Sequence, residues 1–349
     1  PASLTVGAEY SFEHLTDSIP GYSQYLHQDV HIGSVYAQNE WKNDKWSLLA
    51  GVRMDKHSLI RRPIFSPRVN IRYNPNPKIS LRASYSTGFR APQTYDEDLH
   101  VSLAGGERIV SALAPDLKEE RSHSVSLSAD FCLYKGNVDV DITGEGFFTY
   151  LKDIFAERRY EDAAGNEISE RYNAGRGYVA GMHGAVKVSW NRWISGQLGA
   201  TWQVSRYTEP VEWSEDAVSE IRMLKTPDVY GFVMLESNPW RHLTLNVTGN
   251  ITGPMLVPHE LDEPVLVKTP TFFVLNAQVS YDFHFKIQRK AEDPMIQRPS
   301  EVGYNEVVLR LTAGVQNITN AYQRDLDYGV FRDSGYIYGP KQPRSVYLC

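Results

Sequence analysis

The sequence predicts an all-β chain, a single run of antiparallel strands forming the wall of a transmembrane β-barrel. Three observations predict it. Apolar and polar residues alternate at period two along most of the 349 residues, and no helix-period stripe competes. Many alternating segments run past ten residues, where soluble sheets average ~5–6 and a tilted membrane strand needs ~9–11 to cross the hydrocarbon. Connectors alternate between tight and long, as in a barrel with turns on one rim and surface loops on the other.

Fourteen segments carry the pattern: 4–14, 29–42, 45–57, 64–74, 77–88, 120–134, 137–154, 172–190, 192–206, 226–237, 240–253, 271–286, 304–317 and 345–349. In the sixth, Val125, Leu127, Ala129, Phe131 and Leu133 oppose Ser124, Ser126, Ser128, Asp130 and Cys132. Around 243–252, Leu243, Leu245, Val247 and Ile251 oppose Thr244, Asn246, Thr248, Asn250 and Thr252. Segments 29–42 and 226–237 alternate poorly. Tight reversals are expected at Asn43-Asp44, Asn74-Pro75-Asn76, Lys135-Gly136, Asn191 and Asn238-Pro239, where Gly, Asn and Pro supply turn geometry. Long surface loops are expected at 15–28, 89–119, 155–171, 207–225, 254–270 and 318–344, with one enlarged turn at 287–303 on the other rim. Trp41, Trp46, Tyr73, Tyr134, Trp190, Trp193 and Trp240 gather beside the tight turns, as an interfacial aromatic girdle does. Residues 1–349 read as one partial barrel domain.

Composition removes several classes. With 42% apolar and 22% charged residues the chain is not disordered. A net charge of −6 argues against nucleic acid as a partner. Cys132 and Cys349 are too few for a disulfide scaffold. No apolar run approaches the ~18 residues of a membrane helix, which leaves a barrel open. The opening PASLTVG, without Met or leader, suggests an internal or processed start. No GxSxG, HExxH, GxxxxGK[ST] or CxxC occurs, so no enzyme is expected, and His123 and His284 read as structural. Alternation alone does not say which face is inside. A glycan-binding surface protein would press its apolar faces together, whereas a membrane barrel turns them to lipid. A passive porin-like channel shares the second arrangement.

Ordered motifs add a resemblance. FSPR (65–68), SYSTGFRAP (84–92), PDLKEERS (115–122), VQNITNAYQRD (315–325) and RDSGYIYGPKQPRS (332–345) together resemble the barrel half of TonB-dependent outer-membrane receptors of Gram-negative bacteria. The resemblance implies a 22-stranded barrel filled by a plug domain, of which this chain supplies about the last fourteen strands and no plug. The remaining strands and plug are expected in the same parent protein or on a separate piece. It implies lipid and a TonB-type energy transducer, engaged through the plug, as partners. It also implies energy-coupled import of a scarce cargo: a ferric siderophore, haem or cobalamin, with no covalently bound cofactor.

Candidate contacts lie on the long connectors. FRAP, with Arg90, and PDLKEE bracket the longest loop. Some haem-binding members of that family carry a histidine between such motifs, and His100 lies there. Neutral imidazole can ligate haem iron. Tyr95 precedes Asp96-Glu97-Asp98, whose spacing is not that of an EF-hand. Arg158, Arg159 and Tyr160 suit an anionic catecholate through charge-assisted hydrogen bonds and stacking. Trp213, His259 and Tyr328 are further loop aromatics placed to contact a ligand, with Tyr207 and Tyr336. Inward Arg53, Arg68, Arg72, Arg82, Asp130, Asp139, Asp141 and Glu145 are expected to pair with one another or with a plug.

Overall fold

The computed structural model describes residues 1–19, 24–93, 109–161, 167–191, 193–213, 218–259, 264–288, 304–329, 332–333 and 335–349. The regular elements among them are all strands. In chain order they are β1 (Ala2–Ile19), β2 (Gln24–Lys42), β3 (Trp46–His57), β4 (Ile64–Asn76), β5 (Ile79–Arg90), β6 (Ile109–Leu113) and β7 (Glu120–Lys135). There follow β8 (Val138–Lys152), β9 (Phe155–Glu161), β10 (Glu167–Asn173), β11 (Arg176–Trp190), β12 (Ile194–Val211), β13 (Glu220–Arg222) and β14 (Val229–Trp240). The last are β15 (Leu243–Thr252), β16 (Leu256–His259), β17 (Val265–Lys268), β18 (Phe272–Gln288), β19 (Tyr304–Gln316) and β20 (Ser345–Leu348).

One antiparallel meander runs β1-β2-β3-β4-β5-β7-β8-β11-β12-β14-β15-β18-β19-β20, and each expected segment supplies one of its strands. β13 pairs with the outer end of β12, β6-β10-β9 forms a small sheet from two connectors, and β16-β17 forms another within a third. The meander puts the connectors after β1, β3, β5, β8, β12, β15 and β19 on one rim. The tight turns lie on the other, with the described ends of β18 and β19 at Gln288 and Tyr304.

Three local expectations are corrected. Residues 15–19 and 24–28, expected within a loop, continue the β1–β2 ladder, Leu15 opposite Gln28 and Ile19 opposite Gln24. Asn74-Pro75 and Asn238-Pro239 are not the reversals. The ladder shifts register there, between Tyr73 and Asn76 and between Ser237 and Trp240, and the chain turns afterwards, at Pro77-Lys78 and Arg241-His242. Proline has no N–H to give a ladder and fits a bulge; His242, at φ 71°, takes the left-handed turn position. The other turns lie as expected. The Asn43 side chain accepts from the Lys45 and Trp46 amides at 3.0 and 2.7 Å, and Gly136 sits at φ 62°, where glycine has no steric penalty.

The two faces of the sheet differ in the direction a membrane demands. Leu127 is 63% exposed, Phe131 40% and Leu245 38%, while Ser126, Asp130 and Asn246 are half-buried on the opposite face. Side chains of the polar face bond to one another across the strands, as Ser84 does to Ser126 and Thr143 to Asp130, while those of the apolar face stay open. Fully burying a single Leu stabilises by roughly 1.5–3 kcal/mol, so an apolar surface this extended needs an apolar solvent. The buried hydrophobic residues among those described, such as Ile60, Ile64, Ile154, Phe155, Val257, Phe272 and Tyr336, all lie toward the long-connector rim. The packed core therefore sits in the cap of connectors, and the wall below it has none. At the opposite rim Trp41, Trp46, Trp190, Trp193 and Trp240 are exposed, with Trp46 stacked on Tyr73 at 4.3 Å. Inward charges pair: Arg53 reaches Glu9 and Asp55 at 3.0 and 2.8 Å, and Arg82 reaches Asp130 at 2.6 Å.

Candidate ligand-binding rim

The long connectors are tied to one another across the rim. Arg171 on β10 donates to the Gln93 carbonyl at 2.9 Å, and the Ala114 amide donates to the Arg171 carbonyl at 2.9 Å. Lys225, before β14, donates its amide to Leu256 at 2.8 Å and its ammonium to Gly335 at 3.3 Å. His259 on β16 meets Asp327 at 2.8 Å. The contacts form two groups, one tying 89–119 to the β9–β10 hairpin and the other tying 218–225 to β16 and 318–344.

The β9–β10 hairpin presents the most chemically suggestive surface. Period two puts Arg158 and Tyr160 on one face, with Glu170 opposite Arg158, Ile168 opposite Tyr160, and Tyr172 opposite Ala156. Arg158 pairs with Glu170 and lies over the Tyr172 ring, 5.0 Å from its centroid. The hydrogen bond to Glu170 raises its already high pKa, keeping the guanidinium charged. Burial pushes the Tyr172 phenol up, partly offset by Arg158, so it stays a neutral donor. The Arg158 side chain remains 56% exposed. A cation, an exposed phenol and a stacking ring thus share one solvent-facing surface, a combination suited to an anionic aromatic ligand.

A second cluster organises 318–344. Tyr336 is buried and stacks on His259 at 3.9 Å. The hydroxyls of Tyr338 and Tyr336 donate to Asp325 at 2.7 and 3.1 Å, and the Gln323 amide donates to the Tyr336 carbonyl at 3.0 Å. Burial raises the Asp325 carboxyl, but hydrogen bonds from Tyr338, Tyr336, its own backbone and Gln323 together leave it lowered from its ordinary value. Tyr338 is pushed far above an ordinary phenol, first by burial and then by Asp325. This is an anchoring network. Beneath it the inner wall opens into a recess of about 400 Å³ of mixed lining, with Asn246, Thr248, Asn276, Gln278 and Gln316 beside Val274, Ala277, Pro340 and Tyr347.

The candidates named from sequence fall as follows. Arg90 ends β5 and lies over Phe155, 4.7 Å from its centroid. Arg158 and Tyr160 share the hairpin face. Arg159 lies on β9 with Ser169 opposite, and its side chain is outside the described set. Trp213 donates its indole N–H to the Val218 carbonyl at 3.0 Å. His259 is held by Asp327 and Tyr336, an anchoring position. Tyr328 is 84% exposed. Tyr95 and His100 lie outside the described residues. Sequence reasoning missed Glu170, Tyr172, Asp325 and Tyr338. Pairing register would have found the first two; the others become partners only through tertiary contact.

Comparison with known proteins gives the same architecture. The family model described as TonB dependent receptor-like, beta-barrel, matches residues 2–318. No curated protein matches the sequence. Among solved structures, the chain is similar to a variant of the ferric enterobactin receptor PfeA from Pseudomonas aeruginosa, with 19% identity, TM-score 0.66, and coverage of 99% of this chain and 50% of that one. It is similar to the siderophore receptor PirA from Acinetobacter baumannii, with 17% identity, TM-score 0.63, and coverage of 100% and 51%. The iron transporter FrpB from Neisseria meningitidis gives 14%, 0.62, and 99% and 52%. The chain thus spans about half the length of the solved chains it matches, and at these identities the likeness shows the fold.

Proposed function

Because the chain belongs to the TonB-dependent receptor β-barrel family, we propose that it forms the wall and capturing rim of a Gram-negative outer-membrane receptor that imports a ferric siderophore. The observation that carries this reading is the combination of a lipid-ready outer face with a rim presenting Arg158, Tyr160 and Tyr172 together. Capture is the first step: the connectors surround the chelate and replace its water with the guanidinium, phenols and ring faces of the rim. Passage is the second, along the polar inner wall, whose Asn246, Asn276 and Gln278 offer exchangeable hydrogen bonds. Energy coupling requires a plug and a TonB-type transducer, and closure of the wall requires strands beyond β1 and β20. All three belong to this proposal.

Haem and cobalamin are the competing cargoes. PfeA and PirA are named for ferric enterobactin and for a siderophore, and the Arg–Tyr face suits an anionic catecholate better than a corrin. Uptake by cells carrying the whole receptor tests this. Labelled ferric enterobactin, haem and cobalamin are offered separately, with and without the transducer. Transducer-dependent accumulation of the ferric siderophore is expected. Leakage of small solutes independent of the transducer would instead make the protein a porin-like channel.

A further inference from the structure

Above the apolar band of the β1–β2 hairpin lies a cluster with no part in the transport path. Opposed residues of an antiparallel pair share a face. Leu4, Val6, Ala8, Tyr10 and Phe12 therefore lie on the outer face of β1, and the same row continues into His14 and Thr16. Asp29 stands opposite His14, and His27 opposite Thr16. From Leu4 to Phe12 the row covers ~27 Å at strand rise, close to the ~25 Å of a lipid-facing band. The four polar residues begin where that band ends.

Their hydrogen bonds are arranged as a metal site is arranged. His14 Nδ1 lies 2.7 Å from Asp29 Oδ1, and His27 Nε2 lies 3.3 Å from Asp29 Oδ2. One nitrogen of each ring thus faces the carboxylate. The other nitrogen of each ring meets a single hydroxyl: Thr16 Oγ1 is 3.2 Å from His14 Nε2 and 3.4 Å from His27 Nδ1. One potential ligand atom from each of His14, His27 and Asp29 falls within a 4.8 Å cluster, and these three form the one such group among the described residues. A tetrahedral ion with bonds of ~2.0–2.1 Å sets ligands ~3.3 Å apart, a contraction that exposed side chains make by small rotations.

We propose that His14, His27 and Asp29 bind a divalent transition-metal ion of the zinc, copper or nickel class on the outer face of the hairpin. The ion replaces the protons that now bridge the two imidazoles to the carboxylate. With the ion bound, the distal nitrogen of each ring carries the proton and donates to Thr16 Oγ1, which fixes tautomer and ring direction as outer partners of metal-bound histidines do. Two imidazoles and one carboxylate select these metals over magnesium or calcium. Three protein ligands leave a coordination position open to the outside. His31 stands apart: its Nδ1 meets Tyr10 at 2.8 Å and its ring stacks on Phe12 at 4.8 Å.

Zinc chloride titrated into the whole purified receptor in detergent, followed by calorimetry, tests the assignment. Cupric ion is then added and read by electron paramagnetic resonance. One zinc ion per chain is expected, with a copper signal split by two imidazole nitrogens. His14→Ala/His27→Ala should abolish both, and Thr16→Val should weaken zinc by about tenfold. His31→Ala should retain both. Heat-modifiable electrophoretic mobility verifies that each variant keeps its barrel. Unchanged zinc stoichiometry in the folded double variant, or equal loss in His31→Ala, would overturn the proposal.

Discussion

Arg158 is fixed by Glu170 and still open to solvent, which suits a side chain that must meet an anion without being reorganised. A hydrogen bond to a charged group contributes roughly 1.5–3 kcal/mol. Arg158→Ala in the whole receptor is therefore expected to weaken ferric catecholate binding at least tenfold, measured by fluorescence quenching, while the barrel stays folded. Unchanged affinity would remove the hairpin from the ligand's path. Tyr338 gives a prediction in pH. Its pKa is raised in the fold, so the folded state holds the phenol proton after the unfolded chain has lost it. The 318–344 anchor is then at full strength below the ordinary phenol pKa of about 10 and weakens as pH rises through the folded value. Asp325 has the opposite sign: its pKa is depressed, and its contribution is present above about 3.9 and lost as pH falls. Alkaline absorbance titration should show a late-ionising tyrosine that disappears in Tyr338→Phe; identical curves would contradict the network.

At the scale of elements, the strands that lipid must cover carry the strongest contrast between faces. Arg at the bilayer midplane on a lipid-facing position costs ~2–4 kcal/mol. Leu127→Arg should lower the folding free energy into liposomes by about that amount, while Ser126→Arg, one residue away on the inner face, should change it little. Equal penalties would mean the faces are misassigned. The same contrast explains what the sequence made legible. Within the bilayer one face meets lipid and the other water, so period two is plain along most of the wall strands, with β14 a weak exception. Above it both faces meet water, and the outer ends of β1 and β2 carry no alternation; residues 15–28 therefore read as loop. The Asn-Pro pairs read as reversals because proline signals a turn, whereas here the ladder absorbs it in a bulge. For the rim, alternation alone put Arg158 and Tyr160 together. Glu170 needed the β9–β10 register, and the His259–Asp327 contact spans |i−j| = 68, a distance no local pattern encodes.

At the scale of the whole molecule, among the described residues β1 pairs within the sheet only with β2, and β20 only with β19. Each leaves a row of backbone groups facing outward, which hydrocarbon does not satisfy; the proposed further strands of the receptor supply their partners. The stability of such a wall comes from lipid on its outside, ion pairs and hydroxyl ladders on its inside, and a packed cap at one rim. Nitroxide scanning of the whole receptor in a bilayer tests this orientation most directly, with Cys132 and Cys349 first replaced by Ser. Labels are placed singly at Leu127, Phe131, Leu245, Ser126 and Asn246. Relaxation of the first three by dissolved oxygen, and of the last two by a water-soluble chromium chelate, is the predicted result. The reverse pattern would contradict it.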